Sequence, residues 1–362
     1  MLAVSPKLPY EAFVDKEKNI QKTSEATRIE GTRRALLEWH EIHGRHDLPW
    51  RRSHDPYQVL VSEFMLQQTT VATVIPRFNQ WMKLFPTLSA LADAGQEAVL
   101  AAWQGLGYYS RARRLHATSR AIVARHGGVI PTAREDLLAL PGIGEYTAAA
   151  ILAFAYNHPS IVLDTNIARV IARWNNLEDP IDTTGGQAAL REAAVIFFHP
   201  RDARAMTSAL MDLGAILCTA RTPKCNSCPL QQSCQAISPE SLPKKSPRAV
   251  TTRKTEHRAW IVRNGRLFLE HSQGPLWQGL WILPELGTTK PTGRTMTKIT
   301  YPITRYRVVM KVYPAGNGVK ATLEGFSREE LEEIAIPTPH RLVISKLWSA
   351  IAADGITGHT AK

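Results

Sequence analysis

The sequence predicts a mainly α protein, a long helical body followed by a small α/β domain, and three observations carry that prediction. Apolar residues recur three and four apart through much of the first two thirds of the chain, as amphipathic helices require. Short strand-like runs separated by glycine and proline occur beyond residue 258. All four cysteines fall between Cys218 and Cys234, where composition changes from helical to basic and proline-spaced.

The helical elements follow in order. Residues 1–28 are polar and lack sustained periodicity, so a flexible extension is expected. From Thr32 the pattern turns helical, with Ala35, Leu36, Trp39 and His40 on one face. Asp55-Pro56 is a helix start with proline in the first turn, and Val59, Leu60, Phe64 and Leu66 recur after it. Further helices are expected over 72–84, 95–103, 109–126, 145–156, 166–175, 186–197 and 202–216, broken at Pro86, Gly127-Gly128, Pro131 and Gly185-Gly186. Residues 237–257, with Pro239, Pro243, Lys244, Lys245, Pro247 and Arg248, read as a basic linker. Beyond it, 259–262, 266–270, 307–312 and 320–323 read as strands of a domain spanning 258–362.

Composition narrows the function classes. A hydrophobic fraction of 44% with 21% charged residues supports a sizeable core and excludes wholesale disorder. The longest clean apolar run, Ala148 to Tyr156, falls short of the roughly 18 residues a membrane-spanning helix needs. Residues 1–22 lack the apolar segment of a secretion signal, so a cytoplasmic location is expected. A net charge of +12 suits a protein that meets a polyanion, although simple solubility would also account for it.

Four stretches carry candidate chemistry. Leu140-Pro141-Gly142-Ile143-Gly144 sits between two predicted helices; Gly142 and Gly144 let the backbone turn and offer its amides to a phosphate. An ordinary helix-to-helix turn has the same look. Asp164 precedes the helix at 166–175, where its carboxylate can cap the helix and, held ionised, stabilise a developing cation. Glu63 is the one acid in the apolar stretch Tyr57 to Thr69, so burial can raise its pKa toward that of a general acid; an exposed helix glutamate is the plain alternative. Gln68 and Thr69 follow with groups able to read base edges. The run from Trp103 to Leu115 joins Leu106, Tyr108 and Arg111 to two glycines and two more arginines, a pattern for stacking on bases and meeting phosphates or else a solvated basic face.

The four cysteines, Cys218, Cys225, Cys228 and Cys234, are separated by six, two and five residues. Clustered cysteines in a cytosolic chain hold metal or do redox work more often than they form structural bridges.

Taken in order, Leu48-Pro49-Trp50-Arg51, Ser62-Glu63 through Thr69, Gly105 to Tyr109, Leu140 to Gly144, Asp164-x-Asn166 and the cysteine spacing resemble the helix-hairpin-helix DNA glycosylases, and most closely the MutY family of adenine DNA glycosylases. The resemblance runs from about Leu36 to Cys234 and continues more weakly to about residue 348. It implies a two-lobed helical catalytic region over 29–236. One lobe, about 52–156, would hold six helices and the hairpin, and the other, 29–51 with 157–236, a 4Fe-4S cluster on the four cysteines. It implies that Glu63 protonates departing adenine, that Asp164 stabilises the oxocarbenium-like sugar, and that Tyr146 and Asn166 orient them. Gln68 and Leu106 would probe the base stack, with Tyr108 beside them. Tyr146 stands where bifunctional relatives carry a nucleophilic lysine, so the resemblance implies base removal without strand cutting.

The stretch Gly274 to Pro284 resembles the Nudix-like domain with which that family reads 8-oxoguanine. Familiar members carry Phe-Ser-His in the reading loop; here Ile303-Thr304-Arg305 stands in its place, so Thr304 and Arg305 become the candidate contacts. The expected partner is duplex DNA holding adenine opposite 8-oxoguanine or guanine, bound by a monomer, with no membrane contact and a nucleoid association in a bacterium. Removal of thymine opposite guanine, and an iron-sulfur DNA-binding protein without catalysis, are the alternatives.

Overall fold

The computed structural model describes residues 24–198, 202–247, 250–287, 291, 293–314, 319 and 322–353, so the expectation for the N-terminal extension lies almost wholly outside the described residues. The chain forms two compact units, one of residues 1–82 with 118–247 and another of 83–117 with 248–362.

The first unit is helical. Its elements are α1 (Ser24–His43), α2 (Pro56–Leu66), most of α3 (Val71–Leu84), the C-terminal part of α6 (Ser110–His126), α7 (Arg134–Leu138), α8 (Glu145–Tyr156), α9 (Thr165–Trp174), α10 (Thr184–Ala194) and α11 (Ala203–Ile216). Local chemistry fixes the starts. The Asp55 carboxylate accepts the N–H of Tyr57 at 2.8 Å ahead of Pro56, and Thr183 caps α10 through the N–H of Gly186. Helix α9 is strongly amphipathic, with Ile167, Val170, Ile171 and Trp174 buried against Met206, Leu210 and Leu213 of α11. Gly214 permits the close approach of these two helices. A Cβ there would lie 2.7 Å from Cβ of Asn166 and 2.9 Å from its carbonyl oxygen.

The stretch expected to be a linker is instead partly fixed to this unit. Ile181 donates its N–H to the carbonyl of Lys244, buried Arg173 donates to that of Leu242, and Asp182 accepts both the N–H and the hydroxyl of Ser246. Basic, proline-spaced composition misled because the pairing groups lie about 65 residues upstream.

The second unit contains α4 (Leu88–Asp93), α5 (Gln96–Ala102) and the first turns of α6, with two sheets and two C-terminal helices. One sheet has the order β1 (Thr252–Trp260), β6 (Tyr306–Pro314), β5 (Thr297–Ile303), with β1 parallel and β5 antiparallel to β6. In the other, β3 (Arg266–His271) pairs antiparallel with β2 (Val262–Arg263), β4 (Trp281–Ile282) and β7 (Leu323–Phe326). Helices α12 (Glu330–Glu333) and α13 (Thr338–Ala353) follow. Val308, Met310 and Val312 alternate into a core with Leu267, Leu269, Val343 and Leu347.

Two strand boundaries depart from expectation, and β5 is a strand that the sequence reading did not expect. β1 begins at Thr252, inside the supposed linker, because its charged first half is held by the backbone ladder to β6 rather than by apolar alternation. β5 holds Pro302 and occupies a sheet edge, where a missing N–H is tolerated. The last described strand runs from Leu323, past the 320–323 run, of which 320 and 321 lie outside the described residues. The expected boundary at residue 236 also differs from the observed grouping, since 83–117 cluster with the C-terminal region. Within that unit Tyr109 donates its hydroxyl hydrogen to the Ile336 carbonyl and Arg113 donates to that of Gln278.

Gly214→Ala is expected to force α9 and α11 apart at Asn166 and to cost about 1–3 kcal/mol by overpacking. Urea unfolding of the variant beside the parent chain checks this, and an unchanged midpoint would contradict the close approach.

Candidate active site and cysteine centre

A cleft of about 1170 Å³ opens in the helical unit, lined among others by Arg51, Ser62, Glu63, Gln68, Thr69, Tyr146, Asp164, Asn166 and Ser208. Glu63, Tyr146, Asp164 and Asn166, far apart in sequence, are thus brought to one cavity. Glu63 lies on α2 with only 5% of its surface exposed, between buried Ser62 and Phe64. Burial pushes its pKa up to about 7; a hydrogen bond from Tyr146 and the charge of Arg51 oppose that rise, and the Asp164 carboxylate adds to it. The plain alternative of an exposed helix glutamate is excluded by that burial.

Asp164 is placed differently. As N-cap of α9 it accepts the N–H of Ile167 at 2.6 Å and the side-chain amide of Asn166 at 2.8 Å. Burial still raises its pKa, yet these bonds and the charge of Arg169 restrain the rise. Two carboxyls share a cavity, one supplied with donors to its anion and the other held in apolar surroundings, the separation that acid and anion roles need. Tyr146 is deprotonated only far above its ordinary range, through burial and the two acids, and stays a donor.

Asn166 links the site to the cysteines. Its Oδ1 accepts from Nη2 of Arg169 at 2.9 Å, and the same arginine donates to the carbonyls of Gly214 at 2.6 Å and Cys218 at 2.8 Å. Buried Arg173 donates to the carbonyls of Thr219 and Ala220 and reaches Sγ of Cys218 at 3.4 Å. The four cysteines are free thiols. Burial pushes Cys228 up to about 11 and raises Cys234, and the neighbouring cysteines add to both shifts. Four thiols on one short loop, one of them accepting from buried Arg173, supply the donor set that a four-iron cluster takes. When bound, the cluster would tie Cys218, Cys225, Cys228 and Cys234 into one rigid loop.

The predicted DNA-facing residues divide between the units. Gln68 and Thr69, and Pro141, Gly142 and Gly144 on the turn between α7 and α8, belong to the helical unit, with Pro141, Gly142 and Gly144 exposed. Leu106, Tyr108, Arg111, Thr304 and Arg305 belong to the second. Gln68 (φ 56°), Tyr108 (φ 43°) and Thr304 (φ 49°) are exposed and hold left-handed backbone; the other non-glycine residues so placed among those described are all asparagine. Such strain costs on the order of 1–3 kcal/mol per residue and gathers at functional surfaces.

Two expectations need correction. Arg111 is buried; it donates to the carbonyl of Leu106 at 2.7 Å and lies over the rings of Trp103 and Tyr108, so it shapes the turn at 105–108 instead of meeting phosphate. Leu106, expected to probe the base stack, is itself packed inside with 4% exposure. Sequence reasoning also passed over Tyr306. Its ring carries Lys254 Nζ at 3.9 Å and Arg305 at 5.2 Å, while Arg305 donates to its hydroxyl, an aromatic face flanked by cations. It missed Asp212 as well, although a single acid in the apolar run Ala209 to Ala215 is the signal that drew attention to Glu63.

Comparison with known proteins accords with this geometry. The family model of HhH-GPD superfamily base excision DNA repair proteins matches residues 61–193, and that of the iron-sulfur binding domain of endonuclease III matches 218–234. Adenine DNA glycosylase of Buchnera aphidicola subsp. Baizongia pistaciae is 35% identical over 259 residues, covering 69% of this chain and 72% of the relative. That of Mycolicibacterium smegmatis is 45% identical over 196 residues, 54% of this chain and 66% of the relative. Among solved structures, a thermostable thymine-DNA glycosylase superposes with a TM-score of 0.53 at 26% identity, covering 59% of this chain and 98% of the other.

Two outcomes are expected here. Glu63 carries a raised pKa in the folded chain, so the stability it contributes is present below its unfolded value and is lost as pH climbs through about 7. Against Glu63→Gln, the parent should therefore lose up to about 3 kcal/mol between pH 4 and pH 9, read from urea midpoints. Arg111→Lys should destabilise the fold while leaving the salt dependence of DNA binding unchanged, whereas a shallower salt slope would restore Arg111 to the phosphate interface.

Proposed function

Because this chain belongs to the adenine DNA glycosylase family, we propose that it hydrolyses the N-glycosidic bond of adenine mispaired with 8-oxoguanine or guanine and leaves an abasic site. The observation that carries the reading is the unlike burial of Glu63 and Asp164 in one cleft. Adenine turned out of the duplex enters that cleft. Glu63, which keeps its proton near neutral pH, gives it to the departing base. As the bond to the base breaks, positive charge grows on the sugar, and the Asp164 carboxylate faces it. Water then adds to the sugar carbon and completes hydrolysis.

Tyr146 holds the Glu63 carboxyl and offers no amine for a covalent sugar intermediate, which favours base removal without strand cutting. Asn166 and the α9 N-terminus keep Asp164 oriented. The exposed turn at 141–144 is suited to a phosphate, and Gln68 and Tyr108 each present an exposed group able to meet a base. Thr304, Arg305 and the cation-flanked ring of Tyr306 are the groups we assign to the base opposite, here 8-oxoguanine. Both acids lie on one chain, so a monomer suffices, acting wherever the genome lies, the nucleoid in a bacterial cell. Among the described residues no helix is long and apolar enough to cross a membrane.

Single-turnover base release from duplexes that differ at one pair tests the substrate. Rapid adenine loss opposite 8-oxoguanine, slower loss opposite guanine and none from adenine–thymine are expected. Thymine release from a guanine pair would overturn the substrate. Glu63→Gln and Asp164→Asn should each abolish release while retaining mispair binding, and turnover that survives either change would remove that residue from the chemistry.

A further inference from the structure

Asp212 on α11 is fully buried beside the cleft, and no step of the reaction above uses it. Burial alone would raise its pKa, but hydrogen bonds from His40 and Arg51, the Arg51 charge and the Arg45 backbone outweigh that cost and hold the carboxyl well below its usual range. Its partners come from three directions. Arg45 donates through its N–H to Oδ2 at 2.8 Å and through Nε to Oδ1 at 2.7 Å. Arg51 makes a two-pronged pair, Nη1 to Oδ2 at 2.7 Å and Nη2 to Oδ1 at 3.1 Å. His40 of α1 places Nε2 3.3 Å from Oδ2, with His46 edge-on against its ring.

Arg51 is the partner that matters for chemistry. It lines the same cleft as Glu63, and its charge already favours the ionised form of that acid. The other groups acting on Glu63 are Tyr146 of α8 and Asp164 at the start of α9; Glu41, Arg45, His46, His54, Asp202 and Arg204 stand elsewhere in the cleft wall. The two-pronged pair, with Nη1 also donating to the Arg45 carbonyl at 3.3 Å, fixes the plane of the guanidinium on Asp212 and so its direction relative to Glu63. Released from Asp212, Arg51 would be free to turn toward Glu63, on which its charge already acts, and an ion pair there would strip the proton that leaves with the base.

We propose that Asp212 is a positioning residue that engages both arms of Arg51 and so withholds that cation from Glu63, preserving the proton-carrying form of the acid. The inference rests on the reading of Glu63 as general acid. In the parent chain, base release should fall above about pH 7 as Glu63 ionises, and on the acid side as Asp164 takes up a proton at its raised pKa. Removing Asp212 should move only the alkaline limb.

The test follows release against pH for the parent, Asp212→Asn, Arg51→Gln and the double variant. In parallel, carbon-13 NMR of carboxyl-labelled glutamate titrates Glu63 directly, with Glu63→Gln identifying its signal. Asp212→Asn should lower both the alkaline midpoint and the NMR midpoint by about one pH unit. The double variant, which lacks the Arg51 guanidinium while keeping Arg45, should return both to the values of Arg51→Gln. A rate loss in Asp212→Asn with both midpoints unmoved, or a double variant no different from Asp212→Asn, overturns the proposal in favour of a purely structural role. If Asp212→Asn does not fold, Arg51→Lys serves, since one ammonium cannot span both carboxylate oxygens; a smaller downward shift is expected, and none refutes the idea. If no base is released at all, the catalytic reading fails while the NMR midpoints still decide whether Asp212 governs Glu63.

Discussion

Burial of ionisable groups in the helical unit is the constraint on which its other features depend. A carboxyl removed from water must find donors, take a counter-ion or keep its proton, and this unit holds one example of each. Asp164 finds donors at a helix N-terminus, Asp212 takes arginine counter-ions, and Glu63 is pushed by burial to about 7, so that it holds its proton below that pH. The arrangement is consistent because each solution depends on the others being complete. The amide of Asn166 is aimed at Asp164 by Arg169, and the nitrogens of Arg51 are occupied at Asp212. Glu63 meets the neutral phenol of Tyr146, with the charges of Arg51 and Asp164 acting on it from opposite sides of its titration.

The same constraint changes the meaning of the chain's positive charge. A net charge of +12 invites a basic surface for DNA, yet many of the arginines with the most contacts serve the interior. Arg173, with 1% exposure, closes the carbonyls of the cysteine loop; Arg204 donates to those at the end of α8; Arg111 holds the turn that presents Tyr108. Guanidinium suits this work because its planar fork satisfies several carbonyls at once and its charge does not titrate away. The turn at 141–144 shows the complementary economy, where backbone amides can receive phosphate without any cationic side chain.

This division explains what was legible in the sequence. Helix starts at Asp55-Pro56 and Asp164-Thr165, the glycines of the hairpin and the cysteine spacing are local patterns, and each maps onto local structure. Glu63 could be singled out because a lone acid in an apolar run has few reasons to be there. The fate of Arg111, Arg51 and Asp212 could not be read in this way, since a basic residue looks the same in sequence whether it meets a phosphate or a carbonyl. Their partners lie up to 167 residues away in the case of Asp212. The stretch 237–246 was misjudged for the same reason, its hydrogen-bonding partners lying some 65 residues upstream. The grouping of 83–117 with 248–362 likewise depends on contacts such as Tyr109 with Ile336, which no local pattern announces.

Backbone strain adds a signal that composition lacks. Asparagine adopts left-handed backbone readily, so Asn157, Asn176 and Asn264 call for no special account. Glutamine, tyrosine and threonine do so at a cost, and Gln68, Tyr108 and Thr304 are three of the exposed residues that motif order had assigned to DNA. Glycine at any of these positions would relieve the strain, but it would remove the amide, ring or hydroxyl that can touch a base. Their retention is understandable if the lost stability is the consequence of presenting those groups at fixed angles. Thr304 sharpens the point, because β5 and β6 are joined by only Thr304 and Arg305 between the paired residues Ile303 and Tyr306. A two-residue connection demands positive φ, and a β-branched side chain resists it. The hydroxyl is thus held at the tip of a tight hairpin by the strand register itself, with Arg305 and Tyr306 beside it.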